Sequence, residues 1–210
     1  MRINLFIFDW SGVISDDRWP VYEANMRVFE DYGKPRLSFW EWLPRTTMTA
    51  LEIFENHGIH GDPKELFALY GEYYSETVKS GITPTIYPDA HDAFQHIRHK
   101  GKKLAVLSSH PEDNLKKEAE QYGILPLLNH ISGNSRDKAQ GLASVCNSLG
   151  EAPEHALYTG DMIYDIRGAK EAGLNSAGVC TGYHTRERLE KEKPDLMLEC
   201  LSDLKDKKIF

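Results

Sequence analysis

From about residue 86 onward the chain alternates short apolar runs with longer amphipathic stretches, and this rhythm constrains the fold more than any other feature. Lys103–Leu107 reads as a short buried strand, followed by a helix over 112–122 that stops at Gly123. A weaker strand over 130–132 precedes a helix over 137–149 closed by Gly150. Ala156–Thr159 is the next strand, then a helix running through Ala172 to Gly173, with further strands at 176–180 and 196–198. A glycine just past a helix is the expected left-handed stop. Alternation with short turns implies a parallel sheet with helices on both faces, an α/β, doubly wound, Rossmann-like core. Leu5–Phe8 supplies its first strand.

Residues 15–84 break the rhythm. Trp19–Tyr32 reads as an amphipathic helix closed by Gly33, and 47–57 as another closed by Gly58. Asp62-Pro63 is a helix start, with Asp as the cap and Pro in the first turn, for a helix running to Ser80. The expected division is therefore a core of 1–14 and 85–210 carrying an inserted small helical cap at 15–84. The charged end at 203–208 reads as a solvated helix face.

With 210 residues there is room for one large domain or a core plus an insert. A net charge of −7 argues against a nucleic-acid partner, because phosphate backbones reward clustered Lys and Arg. It leaves room for a small anionic substrate, since a bound metal reverses the local sign. The cysteines, Cys146, Cys180 and Cys200, are odd in number and lack CxxC spacing, which reads as reduced, mostly buried thiols. No stretch reaches the ~18 apolar residues of a membrane span, and the run from Ile3 to Phe8 is too short for a signal-peptide core. A soluble, cytoplasmic protein with no membrane partner is expected. Oligomeric state is not legible.

In a doubly wound sheet, ligands bind beyond the carboxyl ends of the strands. Leu5–Phe8 ends at Asp9, Leu104–Leu107 ends at Ser108, and Ala156–Thr159 leads into Gly160-Asp161, with Lys138 between the second and third. This ordered set resembles the four motifs of the haloacid dehalogenase superfamily. Asp9 matches the first, Ser108 in Val106-Leu107-Ser108-Ser109 the second, Lys138 the third, and Gly160-Asp161-Met162-Ile163-Tyr164-Asp165 the GDxxxD fourth. The insert falls where that family carries its C1 cap. The resemblance covers roughly the full length.

The resemblance implies a catalytic set of Asp9, Ser108 and Lys138. Asp9 would attack phosphorus in line, giving an aspartyl-phosphate. Mg²⁺ would be held by Asp9, the Ser11 backbone carbonyl and Asp161, with Asp165 binding directly or supporting a ligand. Lys138 would pair with Asp9 and the phosphoryl group, and Ser108 would offer it a hydroxyl. Amides near Ser109 and His110 face a helix start, a natural anion site. Each residue also has a plain structural role open to it: strand-end turn for Asp9, helix cap for Ser108, surface lysine for Lys138, helix N-terminal acids for Asp161 and Asp165.

The first motif departs from the family at one place. Phosphatase members usually carry Asp-x-Asp, and this chain has Asp9-Trp10-Ser11. A hydroxyl does not replace a general acid/base, whose loss typically costs ~10²–10⁴ in rate. The stretch through Val13 is similar to Asp-Trp-Ala-Gly-Thr of phosphonoacetaldehyde hydrolases, which use a cap lysine as a Schiff base. Here Lys34, Lys64 and Lys79 lack a local signature. The intact GDxxxD pattern speaks against the metal-free dehalogenase branch. In the insert, Trp40, Trp42, Pro44 and Arg45 form an aromatic-basic cluster. Arg45 reads as a clamp on a second anionic group or as a surface ion-pair partner, and the tryptophans as lid core. His110 reads as a group near the leaving group or as helix-start packing. The expectation is a Mg²⁺-dependent phosphatase of a small phosphorylated metabolite. The alternatives are phosphonate C–P cleavage, or a binding or regulatory protein that kept the fold and lost turnover.

Overall fold

Strand β1 (Leu5–Phe8) has four fully buried side chains in the computed structural model, which describes residues 2–206 and 209. Short strand β2 (Ser15–Asp16) follows, then α1 (Arg18–Asp31), α2 (Phe39–Trp42), α3 (Ala50–Asn56), α4 (Pro63–Lys79) and β3 (Thr85–Ile86). Next come α5 (Ala90–His99), β4 (Lys103–Leu107), α6 (Glu112–Gln121), β5 (His130–Ser132) and α7 (Lys138–Leu149). The chain closes with β6 (Ala156–Gly160), α8 (Ile163–Glu171), β7 (Asn175–Val179), α9 (Arg186–Lys191) and β8 (Leu196–Leu198).

Six strands form one sheet in the order β5-β4-β1-β6-β7-β8, with every neighbouring pair parallel. Side chains alternate across a strand, so one run of residues serves two cores. Phe6, Phe8, Leu104, Val106 and Leu157 pack on Phe94 and Ile97 of α5 and Leu115 and Ala119 of α6. Leu5, Ile7, Ala105, Leu107 and Tyr158 pack on Leu142, Val145 and Cys146 of α7 and Ala169 of α8. Burial on both faces is why these strands read as apolar runs. Each large side chain so buried contributes roughly 1.5–3 kcal/mol. Later strands add to opposite sides of β1, so the crevice of the doubly wound sheet opens beyond its carboxyl end.

The chain divides into two compact units: one runs through Ser15 and resumes at Ile86, the other is Asp16–Thr85. Within the second, α4 packs on α1 and α3, and Phe29 meets Phe54 edge-on at 6.4 Å. Asp62 caps α4 by accepting from the amides of Lys64 and Glu65, with Pro63 in the first turn. Thr49 caps α3, so that helix begins at Ala50 rather than Thr47.

Two expectations need correction. Trp42 is fully buried, but Trp40 is 76% exposed and is no part of the insert's core. The charged end is not simply solvated: 201–206 form a 3-10 turn whose Leu201 and Leu204 are buried, while Lys207 and Lys208 lie outside the described residues. Helix α5 was not anticipated, although Ala90, Ala93, Phe94 and Ile97 are its buried face and carry helical spacing. No helix among the described residues is long and apolar enough to cross a membrane.

Candidate active site

The segments that follow the carboxyl ends of β1, β5 and β6 bring four of the anticipated side chains together. Asp9 leaves β1 with its amide still donating to Thr159 O at 2.9 Å, so the carboxylate sits on an extension of the central ladder. Its Oδ1 accepts from the Trp10 amide at 2.8 Å, and its Oδ2 lies 2.9 Å from Lys138 Nζ. Lys138 opens α7, capped by Asp137 through the Gln140 amide at 2.9 Å. The same ammonium lies 3.0 Å from Asp165 Oδ1 and donates to the Tyr158 hydroxyl at 2.7 Å. An ammonium has three protons, and here three acceptors surround it.

Tyr158 was missed by the sequence reading. Its ring packs on the α7/α8 side of the sheet, and its one hydroxyl proton can go to either Leu107 O or Asp165 Oδ1, each 3.3 Å away. Its signal was a polar-tipped aromatic one residue from a strand end that carries chemistry. Burial first, then the carboxylates of Asp9, Asp165 and Asp161, hold its pKa well above the ordinary range, so it stays a neutral donor. Burial alone would lower the pKa of Lys138, but Asp165 and Asp9 outweigh it and hold the ammonium charged. Asp165 is pushed up by burial and by Asp9, against the pull of Lys138 and the Met162 amide.

Asp161 is seated by backbone. Its Oδ2 accepts from the Tyr183 amide at 2.7 Å, and two glycines close around it. A Cβ on Gly12, whose φ is +72°, would sit 2.3 Å from that oxygen, and one on Gly182 would sit 1.9 Å away. Only glycine permits both approaches. Gly168 does the same between helices, since a Cβ there would come within 2.6 Å of Lys138 Cβ.

Asp9, Asp161 and Asp165 are all buried and offer carboxylate oxygens within 4.8 Å of one another, a group that could hold a metal ion. Three carboxyl groups gathered with one ammonium, which pairs with Asp9 and Asp165, leave an excess of acidic groups inside the protein. Such an excess is costly unless countered, and a divalent cation with a preference for oxygen meets it in both charge and donor type. The donor set therefore fits Mg²⁺.

Ser108 is buried beside the cluster's loops, its amide donating to Ser132 O at 3.0 Å. Its Oγ accepts the His110 amide at 3.3 Å. That amide is thus turned onto the serine, and α6 opens with Glu112 and Asp113. Those acidic side chains share the positive end of the helix that follows Ser109 and His110. Ser109 itself is exposed. Ser11 is half-buried, with its Oγ 3.4 Å from His110 Nε2. Arg45 ends a 3-10 turn in the second unit and is exposed. In that unit Lys34 is half-buried, and Lys64 and Lys79 are exposed.

Residues 6–179 match the sequence profile of the family described as haloacid dehalogenase-like hydrolase. A phosphoglycolate phosphatase of Shigella boydii is 28% identical over 165 residues, 76% of this chain and 65% of that protein. The chain therefore spans under two thirds of the length of that curated relative. A phosphoglycolate phosphatase of Pseudomonas putida is 23% identical over 96% of this chain and 78% of its own length. Among solved structures, a haloacid dehalogenase-like family hydrolase of Streptococcus pneumoniae superposes with a TM-score of 0.84 at 19% identity, covering 96% of both chains, a likeness of fold.

Proposed function

Since this chain belongs to the haloacid dehalogenase-like hydrolase family, we propose that it is a Mg²⁺-dependent phosphatase acting on a small phosphorylated metabolite through an aspartyl-phosphate on Asp9. The observation that carries the reading is the buried group of Asp9, Asp161 and Asp165 against the single ammonium of Lys138 at the end of the central strand. The relatives named phosphoglycolate phosphatase support a substrate of that size and charge.

Asp9 is the nucleophile. Its Oδ1 and Oδ2 are held by the Trp10 amide and by Lys138, so the carboxylate is oriented before substrate arrives, which lowers the entropic part of the barrier. Attack on phosphorus forms the Asp9–phosphorus bond and releases the substrate alcohol, which needs a proton. Water then cleaves the acyl phosphate and regenerates the carboxylate. Asp9, Asp161, Asp165 and the Ser11 carbonyl would hold Mg²⁺, which when bound neutralises charge on the phosphoryl oxygens. Lys138 spends its protons on Asp9, Asp165 and Tyr158 and acts chiefly as the alignment post of the carboxylates. Ser108 accepts from His110 and has its own hydroxyl proton to give a phosphoryl oxygen.

Proton handling falls to the Ser11–His110 pair. The imidazole lies 3.4 Å from the hydroxyl at the position where the usual carboxylate is absent. It serves the leaving alcohol and the attacking water through that hydroxyl, less directly than an aspartate at position 11 would.

A phosphate-release screen with and without Mg²⁺, run on wild type and Asp9→Asn, tests the assignment. Metal-dependent turnover in the wild type alone supports it. Equal turnover in both proteins removes Asp9 as nucleophile. Ligand-induced stabilisation with no phosphate release across the panel points instead to a binding protein.

A further inference from the structure

Trp10, the residue between the nucleophile and Ser11, is fully buried yet carries a polar nitrogen. That Nε1–H donates to Glu118 Oε2 at 2.7 Å. Its indole stacks on Tyr122, with centroids 5.9 Å apart and planes 12° from parallel. The Tyr122 hydroxyl in turn shares a 2.9 Å hydrogen bond with Ser15 Oγ. Glu118 lies on α6 and Tyr122 is its C-cap, four residues on, so both project from one face. Between the two anchor points, the Trp10 carbonyl gathers the amides of Val13, Ile14 and Ser15 at 3.3, 2.8 and 2.9 Å. The Trp10 amide points back to Asp9 Oδ1. Much of the hydrogen bonding of the loop from Asp9 to Ser15 thus converges on Trp10, whose backbone the held indole ring places.

We infer that α6 is the alignment element of the nucleophile loop, with Glu118 and Tyr122 as positioning residues that fix the direction of the Asp9 carboxylate through Trp10 and Ser15. The kinetic part of this inference rests on the phosphatase reading, and the structural part stands without it. A buried indole N–H needs an acceptor, and many residues would satisfy it. A carboxylate on the helix that also stacks against the ring fixes both tilt and height.

Glu118→Leu, Glu118→Gln and Trp10→Phe test the clamp with p-nitrophenyl phosphate and Mg²⁺. Glu118→Leu should lower kcat about ten- to a hundredfold with KM little changed, as expected for a small misplacement of a reacting group. Glu118→Gln, whose amide oxygen still accepts from Trp10, should restore most of kcat. Hydrogen exchange should quicken in the peptide covering 9–16 in Glu118→Leu and stay at the wild-type rate in the sheet. Unchanged exchange in that peptide, or Gln as impaired as Leu, overturns the inference. If Glu118→Leu does not fold, Trp10→Phe, which removes the N–H and part of the stacked ring while leaving Glu118 in place, should show the same changes. A wild type that releases no phosphate defeats the phosphatase reading, while the exchange experiment still decides the clamp.

Discussion

Lys138 has three protons and three acceptors, and the third acceptor is a side chain whose only polar atom is a hydroxyl on a buried ring. Tyr158→Phe removes that oxygen and little else. The ammonium keeps a proton with no acceptor beneath it, which costs about 1–3 kcal/mol in a buried place. A denaturant titration should show a loss of that size, and steady-state kinetics a fall in kcat larger than any change in KM. Ser11 gives the opposite sign. Ser11→Asp supplies the missing acid/base and should raise turnover of simple alkyl phosphates, by up to about 10². A fall would show that the serine and His110 belong to a different chemistry. Asp9 and Asp161 were legible because each follows an apolar run, and Lys138 and Asp165 because they fall in the order and spacing of the family's motifs. Tyr158 was not, because an aromatic in a strand reads as core, and only the structure shows which atom its hydroxyl meets.

At the level of elements, glycines decide how closely the loops approach Asp161. Gly182→Ala would place a methyl 1.9 Å from Asp161 Oδ2, so the carboxylate must move. Thermal unfolding should show that Mg²⁺ raises the Tm of wild type and raises that of Gly182→Ala much less, because a cation stabilises only the state that binds it. Equal Mg²⁺ shifts in both proteins would remove Asp161 from the metal site. The parallel strands and glycine-closed helices could be read from the chain because burial on both faces leaves no polar residue within a strand such as Leu5–Phe8. Helix α5 was missed despite its spacing, since two of the four apolar residues on its face are alanines and the polar His91, Asp92, Gln95 and His96 lie between them in the chain. The position of Trp40 was unreadable for another reason. A Ser38–Glu41 capping box starts a helix there, and one turn of it sends Trp42 inward and Trp40 to solvent.

For the molecule as a whole, the two-unit division makes a folding claim. The unit that resumes at Ile86 closes its own cores on both sheet faces. Its cut ends are already adjacent, with the Tyr87 amide donating to Ile14 O at 3.0 Å. Replacing residues 16–85 by a short Gly/Ser linker should therefore leave a cooperatively unfolding α/β protein, measurable by near-UV circular dichroism and urea titration. A non-cooperative transition would show that the insert is needed to complete the fold. The central claim, that Asp9 takes the phosphoryl group, is met most directly by quenching turnover in acid and weighing the protein. Wild type mixed with Mg²⁺ and p-nitrophenyl phosphate should gain one phosphoryl group on the peptide containing Asp9, sensitive to hydroxylamine, and Asp9→Asn should gain none. Phosphate release without any such adduct, or an adduct on another residue, would contradict it.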